Sequence, residues 1–193
     1  TVYSPVRQLL ERFLRERGVH FDFYSPREPD LSRLIRPATR MIYTETPGSV
    51  TMELQDIAAI AETAHRHGDI LVACDNTWAS GFCYRPLDHG ADLSIVAGTK
   101  YLGGHSDVLM GSVTASGNAF ETLHETSVLL GLAVSTDDAA LVLRGARTLH
   151  VRYPAHARRA LAVAEWLADR EEVAAVHYPP LPESPDHALW ASR

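Results

Sequence analysis

Two short apolar runs, each followed closely by a polar residue, constrain the fold of this chain more than any other feature. Residues 70–74 read ILVAC and precede Asp75, and residues 93–97 read LSIVA and end three residues before Lys100. Runs of about four to eight apolar, partly β-branched residues are typical of buried strands in a parallel sheet. In such sheets the functional groups lie just beyond the carboxyl ends of the strands. We therefore expect Asp75 and Lys100 to lie at one edge of a single sheet.

The rest of the chain alternates between patterns typical of helices and of strands. We predict helices at residues 4–17, 30–35, 53–68, 119–132, 137–149 and 154–170. We predict further strands at residues 19–24, 39–44, 108–115 and 173–178, with 108–115 as a hairpin partner of the run that precedes Lys100. Strands and helices in this order favour an α/β fold with a mostly parallel sheet flanked by helices.

Composition and charge argue against several classes of protein. The chain of 193 residues can bury one sizeable core, and its hydrophobic fraction of 46% is ordinary for a globular protein. The formal net charge of −6 argues against a nucleic-acid partner, and no apolar run reaches transmembrane length. The two cysteines lie beside strand patterns, which favours a reducing compartment and a cytoplasmic protein. The ten histidines lack partners at the usual ligand spacing, so we expect no metal site. We expect Arg144 and Arg147, in a helix pattern, to form ion pairs rather than to bind anions.

Lys100 lies in a glycine-rich segment and could act as a nucleophile. A desolvated lysine amine forms Schiff bases with carbonyl groups. A cofactor aldehyde bound in this way needs a carboxylate for its ring nitrogen, hydroxyls or amides for a phosphate, and an aromatic ring for stacking. Asp75 suits the first need, Thr99 and Thr77 the second, and Tyr3 the third. From the residues alone a second interpretation stays open, in which Asp75 caps a turn and Lys100 is an ordinary solvated lysine.

Three motifs carry a close resemblance to a known family. They are DNTWASGFCYRPLDHGADLSIVAGTKYLGGHSDVLMG at residues 75–111, ETPGSVTMEL at 45–54 and RGARTL at 144–149. In order and spacing they resemble the Cys/Met-metabolism family of pyridoxal-phosphate-dependent enzymes, over essentially all 193 residues. The resemblance implies the α/β large-domain fold of aspartate aminotransferases, followed by the start of a small α/β domain. Residues 1–150 would form most of the cofactor-binding large domain, without its N-terminal part. Residues 151–193 would form a linker helix and the truncated beginning of the small domain.

The resemblance also implies a cofactor, pyridoxal 5'-phosphate, and a role for each matching residue. Lys100 would hold the cofactor as a Schiff base and later move the proton of the substrate Cα. Asp75 would pair with the ring nitrogen, and Tyr3 would stack on the ring and assist proton transfer. Thr99 would bind the phosphate, and Thr77 would lie against the ring.

The residues after the Pro-Gly turn resemble one branch of the family, the bacterial cystathionine β-lyases. Other branches have an Asn-Pro pair where this chain has Ser49 and Val50. Ser49 would then lie near the phenolic oxygen of the cofactor ring. The implied reaction cleaves cystathionine or a related cysteine S-conjugate to homocysteine or another thiol, pyruvate and ammonia. One alternative is a sister enzyme, a γ-lyase or γ-synthase. Another is a non-catalytic fragment that acts only as an assembly or binding module.

The resemblance further implies partners and missing parts. The substrate would be a small sulfur amino acid, and the protein would form at least a dimer with composite sites, commonly a tetramer, with no nucleic-acid or membrane partner. Members of the family are longer at both ends, with a phosphate loop before Tyr3 and a substrate-binding arginine beyond residue 193. We therefore expect this chain to be part of a longer protein and to expose apolar faces that the remainder covers.

Overall fold

The computed structural model describes residues 2–192, and the central feature of this part of the chain is one mixed sheet. Its four strands are β1 (Met41–Glu45), β2 (Leu71–Asp75), β3 (Leu93–Ala97) and β4 (Gly111–Ala115). The spatial order is β1-β2-β3-β4, with parallel pairing from β1 to β3 and antiparallel pairing of β3 with β4. The predicted α/β fold and the predicted hairpin are confirmed.

The register of the strands brings their carboxyl ends to one edge. Glu45 lies opposite Asp75, and Asp75 lies opposite Ile95. Residues opposite one another in neighbouring strands direct their side chains to the same face of the sheet. The carboxylates of Glu45 and Asp75 therefore lie side by side, and β3 leads from the same edge into the segment that carries Lys100.

A helix packed against the sheet forms the main core. This helix, α2 (Ile57–Arg66), begins at Asp56, whose carboxylate accepts hydrogen bonds from the backbone N–H groups of Ala58 and Ala59 at 3.1 and 3.3 Å. Its inward face and the sheet bury one cluster of apolar residues, comprising Ile42, Ile57, Ala61, Ala64, Ile70, Val72, Cys74 and Ala91. This burial fixes β1 and β2 relative to one another, and with them the two adjacent carboxylates.

The remaining helices are α1 (Ser4–Gln8), α3 (Gly117–Leu129), α4 (Thr136–Ala146), α5 (Leu149–Ala168) and α6 (His187–Ala191), with short 3-10 helices at Leu31–Leu34 and Pro86–His89. Most of them lie where the sequence predicted them, but α5 begins five residues before the predicted start at residue 154, and α6 and the 3-10 helix at Pro86–His89 were not predicted. The N-terminal helix continues beyond α1 as a π-helical segment, Leu9–Leu14, and a 3-10 turn, Arg15–Arg17. It ends where predicted, at Gly18, which adopts a left-handed φ of 78°.

Two predicted strands are wrong. Residues 19–24 and 173–178 are irregular in the structure and pair with no strand among the described residues. In the first segment the aromatic side chains find other partners, because the guanidinium groups of Arg7 and Arg15 lie 4.7 and 4.8 Å from the ring centroids of Phe23 and Phe21. An alternating pattern of apolar and polar residues favours a strand, but a strand forms only where a neighbouring strand is available for pairing.

An apolar surface lies at the end of α3. Its most exposed members are Val128, Leu129, Leu130 and Leu132, with exposed fractions between 65% and 86%. Exposed apolar patches of this kind mark surfaces that another part of a protein or another subunit covers. Among the described residues, no helix has the length and apolar character that crossing a membrane requires.

Candidate active site

Lys100 lies in a tight loop that follows β3. Its backbone N–H donates to the carbonyl of Ala97 at 3.1 Å, and its own carbonyl accepts from the N–H of Gly104 at 2.7 Å. The N–H of Thr99 donates to the carbonyl of Met110 at 3.1 Å, which joins the loop to the segment before β4. The backbone at Lys100 is therefore fixed on both sides, while its side chain extends into solvent.

The amine of Lys100 faces an aromatic ring and has no acidic partner. Its Nζ lies 5.1 Å from the centroid of the Tyr3 ring, within the range of a cation–π contact. Among residues 2–192 no carboxylate lies within ion-pair distance of this amine. Lys100 is also the only lysine in the sequence, beside 17 arginines. The chain thus holds a single side chain that can react as an amine with an aldehyde, since guanidinium groups stay protonated.

Asp75 is oriented by two donors. Its Oδ1 accepts from the backbone N–H of Thr77 at 3.0 Å, and its Oδ2 receives a longer contact of 3.4 Å from the hydroxyl of Tyr43. Burial raises the pKa of the Tyr43 phenol far above its usual value, and the negative charges of Asp75 and Glu45 raise it further by smaller amounts. The phenol therefore stays protonated and keeps its proton available for Asp75.

The hydroxyl groups of Thr77 and Thr99 are engaged with the backbone. Thr77 Oγ1 accepts from the N–H of Ala97 at 2.8 Å, which ties the loop after β2 to the end of β3. Thr99 Oγ1 accepts from the N–H of Met110 at 3.0 Å and donates to its carbonyl at 3.1 Å. A phosphate contact by Thr99 requires that its proton turn away from this carbonyl.

Glu45, for which the sequence analysis proposed no role, connects two of the predicted site residues. Its Oε2 accepts from the backbone N–H of Tyr3 at 2.6 Å, and its Oε1 accepts from the hydroxyl of Ser49. Glu45 is only 8% exposed, although glutamate is rarely buried without partners. Its position at the end of β1, at the same edge as Asp75, was the signal available in the sequence.

Residues of helices α4 and α5 contact the backbone of the Lys100 loop and hold it in place. The Nη2 of Arg152 donates to the carbonyls of Tyr101 and Gly145, both at 2.8 Å. The hydroxyl of Tyr153 donates to the carbonyl of Trp78 at 2.9 Å, so that α5 also holds the loop that follows Asp75. Arg152 was missed by the sequence analysis, because nothing in a helix pattern indicates which distant carbonyls an arginine reaches.

The arginines of the RGARTL motif behave differently from Arg152. Arg144 forms the expected kind of ion pair, with Asp107 at 2.5 Å, whereas the prediction is wrong for Arg147, which forms no ion pair within residues 2–192. Gly145, the next residue, contributes by its lack of a side chain: a Cβ there would lie 2.0 Å from the carbonyl oxygen of Gly103. Only glycine allows α4 to approach the Lys100 loop so closely.

An open cavity of about 450 Å³ borders Lys100, a size typical of small-molecule sites. Lys100, Thr99, Ser106, Arg152 and His156 are among its lining residues, whereas Asp75 and Tyr3 are not. The cavity therefore adjoins the predicted site without containing all of it. The strand register brings Glu45 and Asp75 to one edge of the sheet, and the Lys100 amine, after the neighbouring strand, lies beside the Tyr3 ring.

The residues at this edge fit pyridoxal phosphate. Three of the groups that an aldehyde cofactor with a basic ring nitrogen needs are present here: an amine, an oriented carboxylate at the end of the neighbouring strand and an aromatic ring beside the amine. Tyr3, Asp75 and Lys100 supply these features from three distant parts of the sequence.

Comparison with known proteins gives a consistent result. Residues 1–193 match the family described as Cys/Met metabolism PLP-dependent enzyme. The chain is 47% identical over 189 residues to a cystathionine beta-lyase of Bordetella avium, covering 97% of this chain and 47% of that protein. It is 41% identical over 190 residues to an L-alanine/L-glutamate racemase of Wolbachia pipientis, covering 98% of this chain and 47% of that protein.

A solved structure agrees with these relatives. The structure of a cystathionine gamma-lyase from Lactobacillus plantarum, complexed with L-serine, superposes with a TM-score of 0.95 at 33% identity. The match covers 99% of this chain and 50% of that one. The chain thus spans about half the length of the relatives it matches.

Proposed function

The chain belongs to the family of Cys/Met-metabolism enzymes that depend on pyridoxal phosphate, and from this premise we propose that it is part of a carbon–sulfur β-lyase. The substrates would be water and cystathionine or a related cysteine S-conjugate, and the products homocysteine or another thiol, pyruvate and ammonia, with the water hydrolysing the aminoacrylate left by elimination. Ser49 and Val50 after the Pro-Gly turn support the β-lyase branch, as does the 47% identity to a relative named for that activity.

The observation that carries this proposal is the position of the Lys100 amine. It lies 5.1 Å from the centroid of the Tyr3 ring and follows the strand next to the one that ends in Asp75. In the proposal Lys100 holds the aldehyde carbon of the cofactor, Tyr3 covers one face of its ring, and Asp75 accepts a hydrogen bond from the protonated ring nitrogen and keeps it protonated. When bound, pyridoxal phosphate supplies a sink for the electrons left behind when a bond at the substrate Cα breaks.

Lys100 and Tyr3 are the residues that we propose to move protons. The Nζ of Lys100 removes the proton from the substrate Cα, and the sulfur leaves with the electron pair of its bond to Cβ. The departing sulfur takes a proton either from Lys100 or from the hydroxyl of Tyr3. The mobile lysine stem suits both tasks, because the loop backbone beneath it is fixed.

The supporting contacts are part of the same proposal. The N–H of Thr77 and the hydroxyl of Tyr43 orient the carboxylate of Asp75 toward the ring nitrogen. Thr77 lies against the ring, and Thr99 turns its proton from Met110 to the phosphate. Ser49 lies near the phenolic oxygen of the ring.

A reduction experiment tests the proposed cofactor site. The purified protein is mixed with pyridoxal phosphate, its visible spectrum is recorded, and borohydride is then added before mass spectrometry. We expect one adduct per chain, fixed to Lys100. The control is Lys100→Arg, which keeps a cation near the Tyr3 ring but has no reactive amine. Because the sequence contains no other lysine, background labelling of surface lysines does not arise within it. The assignment is wrong if the native protein gives no adduct, or if Lys100→Arg gives the same adduct.

Product analysis separates the candidate reactions. Turnover of cystathionine to pyruvate and homocysteine supports the β-lyase, whereas 2-oxobutyrate and cysteine would indicate the γ-lyase that the structural match favours as second candidate. Inversion of L-alanine without pyruvate would indicate the activity named for the Wolbachia relative. A protein that binds the cofactor and turns over none of these substrates would be a binding module.

We also propose an organisation for the chain. Residues 1–150 form most of a cofactor-binding domain, and residues 151–193 link it to a second one, with α5 running across the boundary. The apolar surface at the end of α3 supports assembly into at least a dimer. Two free cysteines, one of them exposed, support a cytoplasmic location.

A further inference from the structure

A buried carboxylate that the proposed reaction does not use lies between two of the proposed site residues. Glu45 ends β1 and is only 8% exposed. Both of its oxygens are engaged: Oε2 accepts from the backbone N–H of Tyr3 at 2.6 Å, and Oε1 accepts from the hydroxyl of Ser49. The strand end itself is held by Gln55, whose Nε2 donates to the backbone carbonyl of Glu45 at 3.1 Å. The carboxylate is therefore a fixed point to which two other segments attach.

The bond to Tyr3 ties the start of the described chain to the sheet. Tyr3 precedes α1, and the hydrogen bond to Glu45 crosses 42 residues of sequence. The N–H groups at a helix start have no intrahelical partner, so the Tyr3 N–H depends on an acceptor from elsewhere. The Tyr3 ring is 46% exposed and lies beside the Lys100 amine. The Tyr3 carbonyl accepts from the N–H groups of Val6 and Arg7 at 3.0 and 3.2 Å, which are contacts within α1. The bond to Glu45 is therefore the hydrogen bond that joins Tyr3 to the sheet within the described part of the chain.

The bond to Ser49 restrains a loop with an unusual backbone. Val50 and Met52 have positive φ angles of 71° and 62°, which cost roughly 1–3 kcal/mol each for residues other than glycine. Such a conformation persists only where the surroundings fix it. The N–H of Met52 donates to the carbonyl of Gly48 at 2.9 Å, and the bond from Ser49 to Glu45 anchors the same loop to the sheet.

We propose that Glu45 is a positioning residue of this site, which holds Tyr3 beside the Lys100 amine and Ser49 at the same sheet edge. The proposal rests on the proposed function for its consequence, the binding of pyridoxal phosphate, but the contacts themselves do not depend on the cofactor. Glu45 acts by accepting two hydrogen bonds and touches no reacting atom.

Two substitutions separate this action from other roles. Glu45→Gln keeps a side chain of the same shape, whose oxygen accepts from the Tyr3 N–H and whose amide donates to the Ser49 hydroxyl. Glu45→Ala removes both bonds. Loss of a hydrogen bond to a charged group corresponds to about a 10- to 100-fold change in an equilibrium constant. We expect the affinity for pyridoxal phosphate to fall about 10- to 100-fold in Glu45→Ala and only a few-fold in Glu45→Gln.

A first measurement reports the contact without the cofactor. Protein labelled with ¹⁵N-tyrosine is prepared free of pyridoxal phosphate, and amide hydrogen exchange is followed by NMR. The Tyr3 amide is expected to be protected in the native protein and in Glu45→Gln and to exchange at least tenfold faster in Glu45→Ala. Equal exchange in native protein and Glu45→Ala would overturn the proposal.

A second measurement connects the contact to the site. Pyridoxal phosphate is titrated into each variant, and the melting temperature of each cofactor-free protein is recorded beside it. Unchanged cofactor affinity in Glu45→Ala, with only a lower melting temperature, would show a purely structural residue and overturn the proposal. Equal losses in Glu45→Gln and Glu45→Ala would show that the charge matters rather than the two bonds, and would also overturn it. If the native protein binds no pyridoxal phosphate, the proposed function fails, and the exchange data alone still decide whether Glu45 holds Tyr3.

Discussion

Replacing Gly145 by alanine should displace the loop that carries Lys100. The added Cβ would lie 2.0 Å from the carbonyl oxygen of Gly103 and 2.3 Å from that of Leu102. A carbon and an oxygen normally stay about 3.3 Å or more apart, so the first contact falls short by about 1.3 Å (3.3 minus 2.0 Å). The obstacles are backbone atoms, which cannot rotate aside as the end of a long side chain does. Either α4 or the Lys100 loop has to move by more than about 1 Å.

Two opposing terms determine the size of the effect. Alanine is better than glycine in the middle of a helix by about 1 kcal/mol, which would stabilise α4. Overpacking a tight contact costs about 1–3 kcal/mol, and the rigid backbone places this contact at the upper end. We therefore expect Gly145→Ala to lower the free energy of unfolding by about 2 kcal/mol or more. A misplacement of about 1 Å at a catalytic group can cost roughly 100-fold in rate, so adduct formation at Lys100 should slow markedly.

Urea unfolding at fixed protein concentration, together with the rate of borohydride-trapped adduct formation, checks this prediction. The matched control is Gly111→Ala in β4, where the nearest atom to the new Cβ is the Val96 carbonyl oxygen at 3.9 Å. The control should leave stability within about 0.5 kcal/mol of the native value or raise it slightly. If Gly145→Ala proved as stable as the control and equally reactive, the close approach of α4 would not be what positions Lys100.

Three further predictions concern the cap of α2, the reactivity of the two cysteines and the pH dependence of stability. Asp56→Ala should lower the free energy of unfolding by about 1 kcal/mol, because the Asp56 carboxylate accepts two hydrogen bonds at the start of α2. Asp56→Asn should lose less than half as much stability, and equal losses in urea unfolding would contradict the capping interpretation. Burial raises the pKa of both thiols, that of buried Cys74 to about 12, but Cys83 is exposed, so iodoacetamide at pH 8 should label Cys83 slowly in the native protein and Cys74 only after unfolding. An unfolded cysteine ionises at about pH 8.5, whereas folded Cys74 does not, so the unfolded state releases the thiol proton first. The free energy of unfolding should therefore fall as the pH rises from about 8.5 toward 12, and it should fall less in Cys74→Ala.

The sheet could be predicted from the sequence because its strands identify themselves locally. The runs that became β2 and β3 are largely apolar, partly β-branched and followed by a turn or a polar residue, and β1 is recognisable from its β-branched and aromatic residues before a Pro-Gly turn, so no knowledge of the neighbouring strands was needed. Residues 19–24 and 173–178 show alternation as well, but they lack neighbouring strands among the described residues. Whether an alternating segment pairs depends on the rest of the fold.

The candidate site likewise contains residues that local sequence predicts and residues whose position depends on the rest of the fold. Asp75 and Lys100 could be placed from strand ends alone, and Tyr3 could be named as a stacking aromatic without being placed, whereas Ser49 could be named only through the family resemblance. Glu45 is the first residue of the ETPGSVTMEL motif, but the sequence did not predict that it is buried, because a glutamate beside a Pro-Gly turn usually lies on the surface. Its burial comes from Tyr3, 42 residues away, and such a contact leaves no local trace in the sequence.

The distribution of cations shows how the chain separates structural from chemical tasks. Among the described residues, seven arginines form ion pairs with carboxylates, as Arg144 does with Asp107, and arginines make four of the five cation–π contacts, as Arg17 does with the Phe13 ring. A guanidinium keeps its proton and therefore serves as a permanent cation and hydrogen-bond donor. The single amine, Lys100, is placed where Arg152 and Gly145 fix the loop and no carboxylate neutralises it among the described residues. The roles that we propose for Lys100, holding the cofactor and moving a proton, require a fixed backbone and an unrestrained amine, and this loop fits both requirements.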